Sequence, residues 1–345
     1  MKNIGNVSKF IMIIIGFFAS TLLISFSVSL KASYKHITFM MSQNRSQSDN
    51  AKPTVSTVPK IYPLDFVYPY NYNFVINEPD KCKQNVPFLV LLITTHPTEI
   101  EQRHAIRRTW GNENWVPGVT IIRLFLTGLP STFTKSVQDI LEEESMTFHD
   151  IIQQDFMDVY VNLTIKTMMG LEWLKKFCPY ASYALKTDSD MFINTELLVR
   201  TIDPKVPARE NYFSGYLLQG HHPPRSKADK CYIPPELYER NDFPPYCIGG
   251  GYFFSIDMAS KIYDIAQVIK PFNVEDAFVG VCLETLKIKI TVTPNSLFGI
   301  FKVKYDKCKY AGLIYVHQVR ANELIENWPD FLTANTTCPV LKPSN

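Results

Sequence analysis

Unbroken apolar runs of strand length alternate with helix-like stretches through most of the chain. FLVLLIT (88–94), VTIIRLFLTG (119–128) and YALKTD (183–188) are three such runs. Strands buried on both faces have continuous apolar runs, whereas strands exposed on one face alternate apolar and polar residues. VNLTIKTMMGLEWLKKFC (161–178) instead places its apolar side chains on one broad helical face. The pattern predicts an α/β domain with a mainly parallel central sheet flanked by helices.

Other stretches predict the remaining elements of this domain. The acidic stretch near 134–146 and the run TEIEQRHAIRRTW (98–110) have helical spacing, and YCIGGGYFFS (246–255) is rich in glycine. The later part of the chain predicts a strand at 313–319 and helices at 257–269, 275–288 and 321–332. No internal repeat is present, and the length of 345 residues is enough for one large domain or two modest ones.

Two aspartates with one serine between them follow the apolar strand YALKT. Asp188 and Asp190 are separated by two positions, so in an extended segment their side chains point the same way. Ligands of open parallel sheets bind beyond the carboxyl ends of the strands. Carboxylate oxygens suit hard cations such as Mg²⁺ and Mn²⁺. The motif predicts a cation site, and the alternative is a turn capped by two aspartates.

The first residues predict a membrane anchor. Residues 10–30 contain no charged side chain and would span about 31 Å as a helix, enough for one crossing. A cleaved signal peptide is the alternative, although its apolar core is usually only about 7–15 residues long. Residues 1–9 are then a cytoplasmic tail, residues 31–77 a stem without periodicity, and residues 78–340 the folded domain.

Cysteines and glycosylation sequons suggest where the folded domain resides. Three sequons, at Asn44, Asn162 and Asn335, follow the predicted anchor. All seven cysteines also follow it, without a CxxC pair: Cys82, Cys178, Cys231, Cys247, Cys282, Cys308 and Cys338. These features favour a lumenal or extracellular domain with some disulfides, and the odd number leaves at least one thiol free or paired with another chain. A net charge of +2 without a basic cluster argues against a nucleic-acid partner.

Several sequence blocks together resemble a known family. RHAIRRTWG, DFMDVYVNLTIKTMMGLEW, FCPYASYALKTDSDMFIN, YCIGGGYFFS and VEDAFVGVCL occur in the order and at the spacing of the β-1,3-galactosyltransferases. These belong to a larger family that includes β-1,3-N-acetylglucosaminyltransferases and Fringe. The chain resembles the galactosyl branch most, because KTDSD stands where the other branch tends to have GDDD. The likeness covers about residues 74–335.

The resemblance implies a GT-A fold and an inverting transfer from a UDP-sugar by a type II Golgi membrane enzyme. It also implies Mn²⁺ as the cofactor, with Asp190 and His317 as its ligands. Asp188 and Ser189 would contact the nucleotide-sugar, and Asp276 would be the catalytic base. Without the resemblance, a histidine in a strand is usually structural, and Asp276 could simply stabilise a helix N-terminus.

Other positions leave two interpretations open. Arg103 and Arg107 recur at helical spacing, so they would either support the nucleotide site or pack and pair inside the domain. The glycines 249–251 would either allow close backbone approach near the substrates or bend a strand. The chain departs from its relatives in having GGGY for GTGY, and SKADKCY, without tryptophan, where they tend to have SKW.

The leading hypothesis for the function is a β-1,3-galactosyltransferase. It would move galactose from UDP-galactose to a terminal N-acetylhexosamine on a glycoprotein or glycolipid glycan. One alternative is N-acetylglucosaminyl transfer on the same scaffold, and another is a catalytically silent, membrane-anchored glycan-binding protein. The sequence leaves the acceptor and the oligomeric state open.

Overall fold

The computed structural model describes residues 72–83, 85–132 and 134–338. The predicted anchor, the sequon at Asn44 and nearly all of the predicted stem lie outside these residues. Within the described ranges, no helix is both long and apolar enough to cross a membrane.

Strands and helices alternate through residues 89–188, as the apolar pattern predicts. The strands are β1 (Phe74–Ile76), β2 (Leu89–Thr94), β3 (Ile121–Leu129), β4 (Ile151–Met157), β5 (Tyr183–Asp188), β6 (Met191–Ile193), β7 (Phe213–Leu218), β8 (Tyr246–Ser255), β9 (Phe298–Gly299) and β10 (Tyr315–His317). The helices are α1 (Ile100–Arg108), α2 (Thr134–Phe148), α3 (Leu163–Phe177), α4 (Thr195–Ile202), α5 (Asp257–Ala266), α6 (Glu275–Thr285), α7 (Lys307–Ala311), α8 (Ala321–Phe331) and α9 (Ala334–Thr337).

The main sheet of the described residues has seven strands in the order β1-β4-β3-β2-β5-β8-β7. Its centre, β4-β3-β2-β5, is parallel. The strands outside this centre are antiparallel to their neighbours, with β1 on β4, and β8 between β5 and β7. The sheet is therefore mixed, and the prediction of a mainly parallel sheet holds only for its centre.

Strand β2 shows why unbroken apolar runs mark the centre. Leu89, Leu91 and Ile93 pack into one core cluster, while Val90 and Leu92 pack into a second cluster. Successive side chains of a strand point to opposite faces, so the two clusters lie on opposite faces of the sheet. Helices α3, α5 and α6 contribute to the second cluster, and α1, α4 and α8 contribute to the first.

A small sheet extends from the carboxyl end of β5. In it β10 pairs antiparallel with β6, with His317 opposite Met191, and parallel with β9. Because β6 begins directly after Asp190, this pairing brings His317 next to the two aspartates. The strand predicted at 313–319 is observed, and it is shorter than expected.

Strand β1 lies within the segment that the sequence assigned to the stem. It pairs with β4, and the ring of Phe74 lies 6.0 Å from that of Phe177 in an edge-to-face arrangement. A disulfide joins Cys82 to Cys178 just beyond that phenylalanine. The described body therefore includes residues 72–77, although the stem was expected to reach residue 77. The sequence did not reveal β1 because this strand is too short to show a period.

The prediction that the domain contains some disulfides is confirmed. In addition to Cys82–Cys178, a bond joins Cys308 to Cys338. The free thiols are those of Cys231, Cys247 and Cys282, of which the last two are buried. The odd count thus leaves unpaired thiols within this chain.

Removal of β1 is expected to destabilise the domain. A protein beginning at Asn77 loses the half-buried Phe74 and Ile76 and exposes the edge of β4, at a cost of about 2–4 kcal/mol. Its melting temperature should fall by about 4–10 °C relative to a protein beginning at Asn71. Thermal melts of the two secreted proteins measure this, and equal melting temperatures would show that β1 adds nothing to the fold.

Candidate active site

The carboxyl ends of β2 and β5 hold the first carboxylate of the candidate site. Thr94 and Asp188 are neighbours in the parallel register. The Thr94 hydroxyl donates a hydrogen bond to Asp188 Oδ1 at 2.6 Å, and Lys186 Nζ lies 2.9 Å from the same oxygen. Burial alone would raise the pKa of Asp188, but the charge of Lys186 and the Thr94 hydrogen bond hold that pKa below its usual value. Asp188 is therefore an anion at neutral pH.

Lys186 is a functional candidate that the sequence reasoning missed. Its side chain is buried, and Nζ donates to Asp188, to the Gly249 carbonyl at 2.8 Å, and to Glu275 Oε2 at 3.4 Å. Burial would lower the pKa of Lys186, but Asp188 and Glu275 raise it above its usual value. A lysine inside an otherwise apolar strand, two residues before Asp188 and so on the same face, is the signal that marks it.

Asp276 lies in the first turn of α6 and is bound on both carboxylate oxygens. The Gly249 N–H of β8 donates to Oδ2 at 2.9 Å, and the Ala277 N–H donates to Oδ1 at 2.8 Å. Burial, with a contribution from the charge of Glu275, raises the pKa of Asp276 to about 6. The hydrogen bond from Ala277 is what we expect if Asp276 only stabilises the N-terminus of its own helix. The hydrogen bond from Gly249 joins Asp276 to β8, which that interpretation does not require.

Gly249 connects the two halves of this arrangement. Its carbonyl accepts from Lys186 and its N–H donates to Asp276, so a hydrogen-bonded path runs from Asp188 to Asp276. A Cβ atom on Gly249 would lie 3.2 Å from Glu275 Oε2 and 3.4 Å from Asp276 Oδ2. The absence of a side chain therefore permits this close approach.

Glu275 has a different environment from that of Asp276. It is buried, and its Oε1 accepts a hydrogen bond from the Tyr252 hydroxyl at 2.5 Å, while Oε2 faces Lys186. Both oxygens are thus occupied inside the protein. Of the two adjacent acidic residues, Asp276 is the one that is partly exposed.

Asp190 and His317 form the second part of the candidate site. His317 Nε2 lies 3.3 Å from Asp190 Oδ2, and both side chains are partly exposed. The Nδ1 atom lies 3.1 Å from the Ile300 carbonyl. When Nδ1 donates to that carbonyl, Nε2 carries the lone pair toward Asp190, which is the usual orientation of a metal-binding imidazole.

This pair is a small ligand set. No group of three His, Cys, Asp or Glu side chains suited to a metal ion occurs among the residues that the structure describes. Cations such as Mg²⁺ commonly use one or two protein ligands and complete their shell with water and substrate phosphate oxygens. The donor types of Asp190 and His317 fit a divalent cation held in that way.

The hydroxyl of Ser189 is engaged inside the protein. It donates to Glu99 Oε2 at 2.8 Å, and the Ser189 N–H donates to the Thr94 carbonyl at 3.0 Å. Ser189 is buried. The side chain was expected to contact a nucleotide-sugar, but the structure instead places it in the support of the loop between Asp188 and Asp190.

Arg103 and Arg107 lie in a buried ion-pair network. Arg103 is fully buried and donates to Glu144, and Arg107 donates to both Glu144 and Asp150. These contacts favour the packing interpretation, because guanidinium donors bound to buried carboxylates cannot also bind a diphosphate. Removal of one partner of a buried pair costs roughly 3–5 kcal/mol, so the network fixes α1.

The segment SKADKCY (226–232), which the resemblance marked as a departure, lies beside the candidate site. The Tyr160 hydroxyl lies 3.3 Å from Cys231 Sγ, and Lys230 Nζ lies 4.9 Å from the centre of the Tyr160 ring. Burial is the largest cause that raises the pKa of Tyr160, and the Cys231 contact and the charges of Asp276 and Asp188 raise that pKa further. Tyr160 is 45% exposed. Tyr160 is a further functional candidate that the sequence reasoning missed. The signal for it is its position shortly after β4, at the edge of the sheet that carries Asp188.

Comparison with known proteins identifies similar sequences. A model of the galactosyltransferase family matches residues 101–294, and a model of the beta-1,3-galactosyltransferase 2 N-terminus matches residues 17–90. Beta-1,3-galactosyltransferase 2 of Mus musculus is 47% identical over 261 residues, which are 75% of this chain and 62% of that protein. Beta-1,3-galactosyltransferase 1 of Mus musculus is 42% identical over 265 residues, 76% of this chain and 80% of that protein.

The match to beta-1,3-galactosyltransferase 2 thus spans 62% of that relative's length. Among solved structures, a glycosyltransferase involved in the glycosylation of the major capsid of PBCV-1 has 12% sequence identity and a TM-score of 0.36. The alignment covers 71% of this chain and 100% of that one.

Proposed function

Because this chain belongs to the galactosyltransferase family, we propose that it transfers galactose from UDP-galactose to a terminal N-acetylhexosamine and forms a β-1,3 linkage. The acceptor is the glycan of a glycoprotein or glycolipid, and the fold is of the GT-A type. The observation that carries the proposal is the hydrogen-bonded path from Asp188 through Lys186 and Gly249 to Asp276. It connects a carboxylate at the strand ends with a carboxyl group suited to proton transfer.

Asp276 is the proposed general base. A pKa of about 6 leaves it mostly ionised at neutral pH and still basic enough to accept a proton. The acceptor hydroxyl oxygen attacks the anomeric carbon, its proton passes to Asp276, and the bond from that carbon to the UDP oxygen breaks. Attack from the face opposite UDP converts an α-linked donor into a β-linked product.

Asp190 and His317 are the proposed ligands of Mn²⁺. The cation, when bound, stabilises the negative charge of the departing UDP. Asp188 is proposed to contact the nucleotide-sugar, and Lys186 and Thr94 keep it ionised and oriented for that contact. Ser189, Arg103 and Arg107 contribute by holding the surrounding backbone.

The proposed location is the Golgi membrane, in type II orientation. Residues 1–9 would be cytoplasmic, residues 10–30 the anchor, and the stem would extend from residue 31 to about residue 71. The disulfides Cys82–Cys178 and Cys308–Cys338 support a lumenal position, because such bonds persist in oxidising compartments.

A panel of donors tests this function. The secreted protein beginning at Asn71 is offered UDP-galactose, UDP-N-acetylglucosamine and UDP-glucose with Mn²⁺, and acceptors with a terminal N-acetylhexosamine. We expect UDP-galactose to be preferred by about 10-fold or more, in line with discrimination by polar contacts to one hydroxyl, and NMR of the product to show a β-1,3 linkage. Preferred transfer of N-acetylglucosamine would support the other branch, and glycan binding without transfer would support a silent binding protein.

A further inference from the structure

Helix α1 is a fixed platform beside the candidate site. Arg103 and Arg107 extend from it to Glu144 of α2 and to Asp150, which precedes β4. Arg103 also donates to the carbonyls of His96 and Pro97, in the turn before the helix. A shift of α1 would break several buried ionic hydrogen bonds at once, so contacts that it makes with other segments hold those segments in place.

The start of α1 holds the loop between the two aspartates. Glu99 Oε2 accepts the Ser189 hydroxyl at 2.8 Å and also accepts the His96 N–H at 2.9 Å. One turn later, Gln102 Nε2 donates to the Ser189 carbonyl at 2.7 Å. The residue between Asp188 and Asp190 is therefore fixed by both its side chain and its carbonyl.

Gln102 also reaches the segment that carries His317. Its Nε2 lies 3.3 Å from the carbonyl of Val319, two residues after the histidine. The Val319 N–H in turn donates to the Asp190 carbonyl at 2.8 Å. Gln318, which lies between His317 and Val319, has a φ of 62°, a left-handed conformation that turns the chain sharply after β10. A single amide group thus lies between the two segments that present Asp190 and His317.

We propose that Gln102 is a positioning residue that sets the separation of Asp190 and His317 and thereby the affinity for the divalent cation. The inference rests on the proposed cation site. Gln102 carries no charge, and its side-chain amide donates to two main-chain carbonyls, so it acts through geometry. A site with two protein ligands depends strongly on such support. When one ligand is misoriented, only one other protein ligand remains to hold the cation.

Two variants of the same size test the proposal. Gln102→Met removes the donor and keeps the length, and Gln102→Glu replaces the donor with an acceptor that faces two carbonyls. Mn²⁺ binding in the presence of UDP is measured from the electron paramagnetic resonance signal of free Mn²⁺. We expect the Mn²⁺ dissociation constant to rise about 10–100-fold in both variants, the usual effect of losing an outer-shell partner.

The expected kinetic signature separates positioning from loss of folding. At saturating Mn²⁺, kcat should return to within about threefold of wild type, because the proposed base is untouched. Gln267→Met is the matched control, since Gln267 is also half-buried and donates to one carbonyl, that of Tyr263 in the last turn of α5, which it follows. That variant should bind Mn²⁺ like wild type, and melting temperatures report the folding of all three.

Wild-type Mn²⁺ affinity in both Gln102 variants would overturn the inference while leaving the proposed function intact. An equal loss of affinity in Gln267→Met would also overturn it, since the effect would then be a general loss of stability. If the wild-type protein binds no Mn²⁺ with UDP, the proposed cation site falls first and this inference falls with it.

Discussion

Asp276→Asn is expected to lower kcat by about 10²–10⁴-fold, the usual contribution of a positioned general base. Asparagine has nearly the same shape, and its carbonyl oxygen can still accept the Gly249 N–H, but its amide cannot take up a proton at neutral pH. Mn²⁺-dependent affinity for UDP should stay near the wild-type value. Steady-state kinetics, calorimetry with UDP and thermal melts of both proteins measure the three quantities.

The pH profile adds a second readout for the same residue. Burial and the charge of Glu275 raise the pKa of Asp276 to about 6, so its proton-accepting form is lost as the pH falls through that value. Wild-type kcat/KM should therefore be half-maximal near pH 6 on the acid side, and the residual rate of Asp276→Asn should lack that limb.

Asp257→Asn is the matched control for a helix N-terminal aspartate. Asp257 is the first residue of α5, and its Oδ2 accepts the Asn211 N–H at 3.0 Å. Its replacement should leave kcat unchanged. If Asp276→Asn is stable, binds UDP normally and also transfers sugar at the wild-type rate, Asp276 merely stabilises α6 and is not the base.

Asp190→Ala is expected to weaken Mn²⁺-dependent binding of UDP by about 100-fold or more, because it removes an anionic ligand from a site with two protein ligands. The wild-type protein should lose transfer activity in EDTA and regain it when Mn²⁺ is added. Titration of UDP with and without Mn²⁺ measures the first effect, and a product assay measures the second.

Asp264→Ala provides the comparison for this variant, because Asp264 is an exposed aspartate that pairs with Lys175 on another helix. It should bind UDP like wild type. Full activity in EDTA, or undiminished Mn²⁺-dependent binding of UDP by Asp190→Ala, would refute the assignment of Asp190 as a cation ligand.

The centre of the fold was predictable because its strands are buried on both faces, which leaves continuous apolar runs in the sequence. The outer strands lack that signal. β1 has three residues and alternates in burial. β8 carries three consecutive glycines, which suggested either a close backbone approach or a bend in a strand. Their antiparallel pairing depends on contacts with β4 and β5 that no local pattern encodes.

The candidate site was predictable where one segment carries the chemistry, and less so where distant segments meet. Asp188 and Asp190 stand out in a single short segment. The role of Lys186 depends on Glu275, 89 residues later in the chain. The buried position of Arg103 depends on Glu144, 41 residues later. Helical spacing alone gave Arg103 two equal interpretations, because it does not reveal which carboxylate will face the guanidinium.

The main chain of Gly249 has a consequence for how such an enzyme can be altered. One residue without a side chain contacts both the lysine that orients Asp188 and the carboxylate of Asp276. A substitution that moves this backbone would change the proposed donor contact of Asp188 and the acidity of Asp276, the proposed base, together. Mutations at this position would therefore not adjust donor choice and proton transfer separately. Laboratory evolution toward a new donor sugar should find its useful changes elsewhere and leave this position untouched.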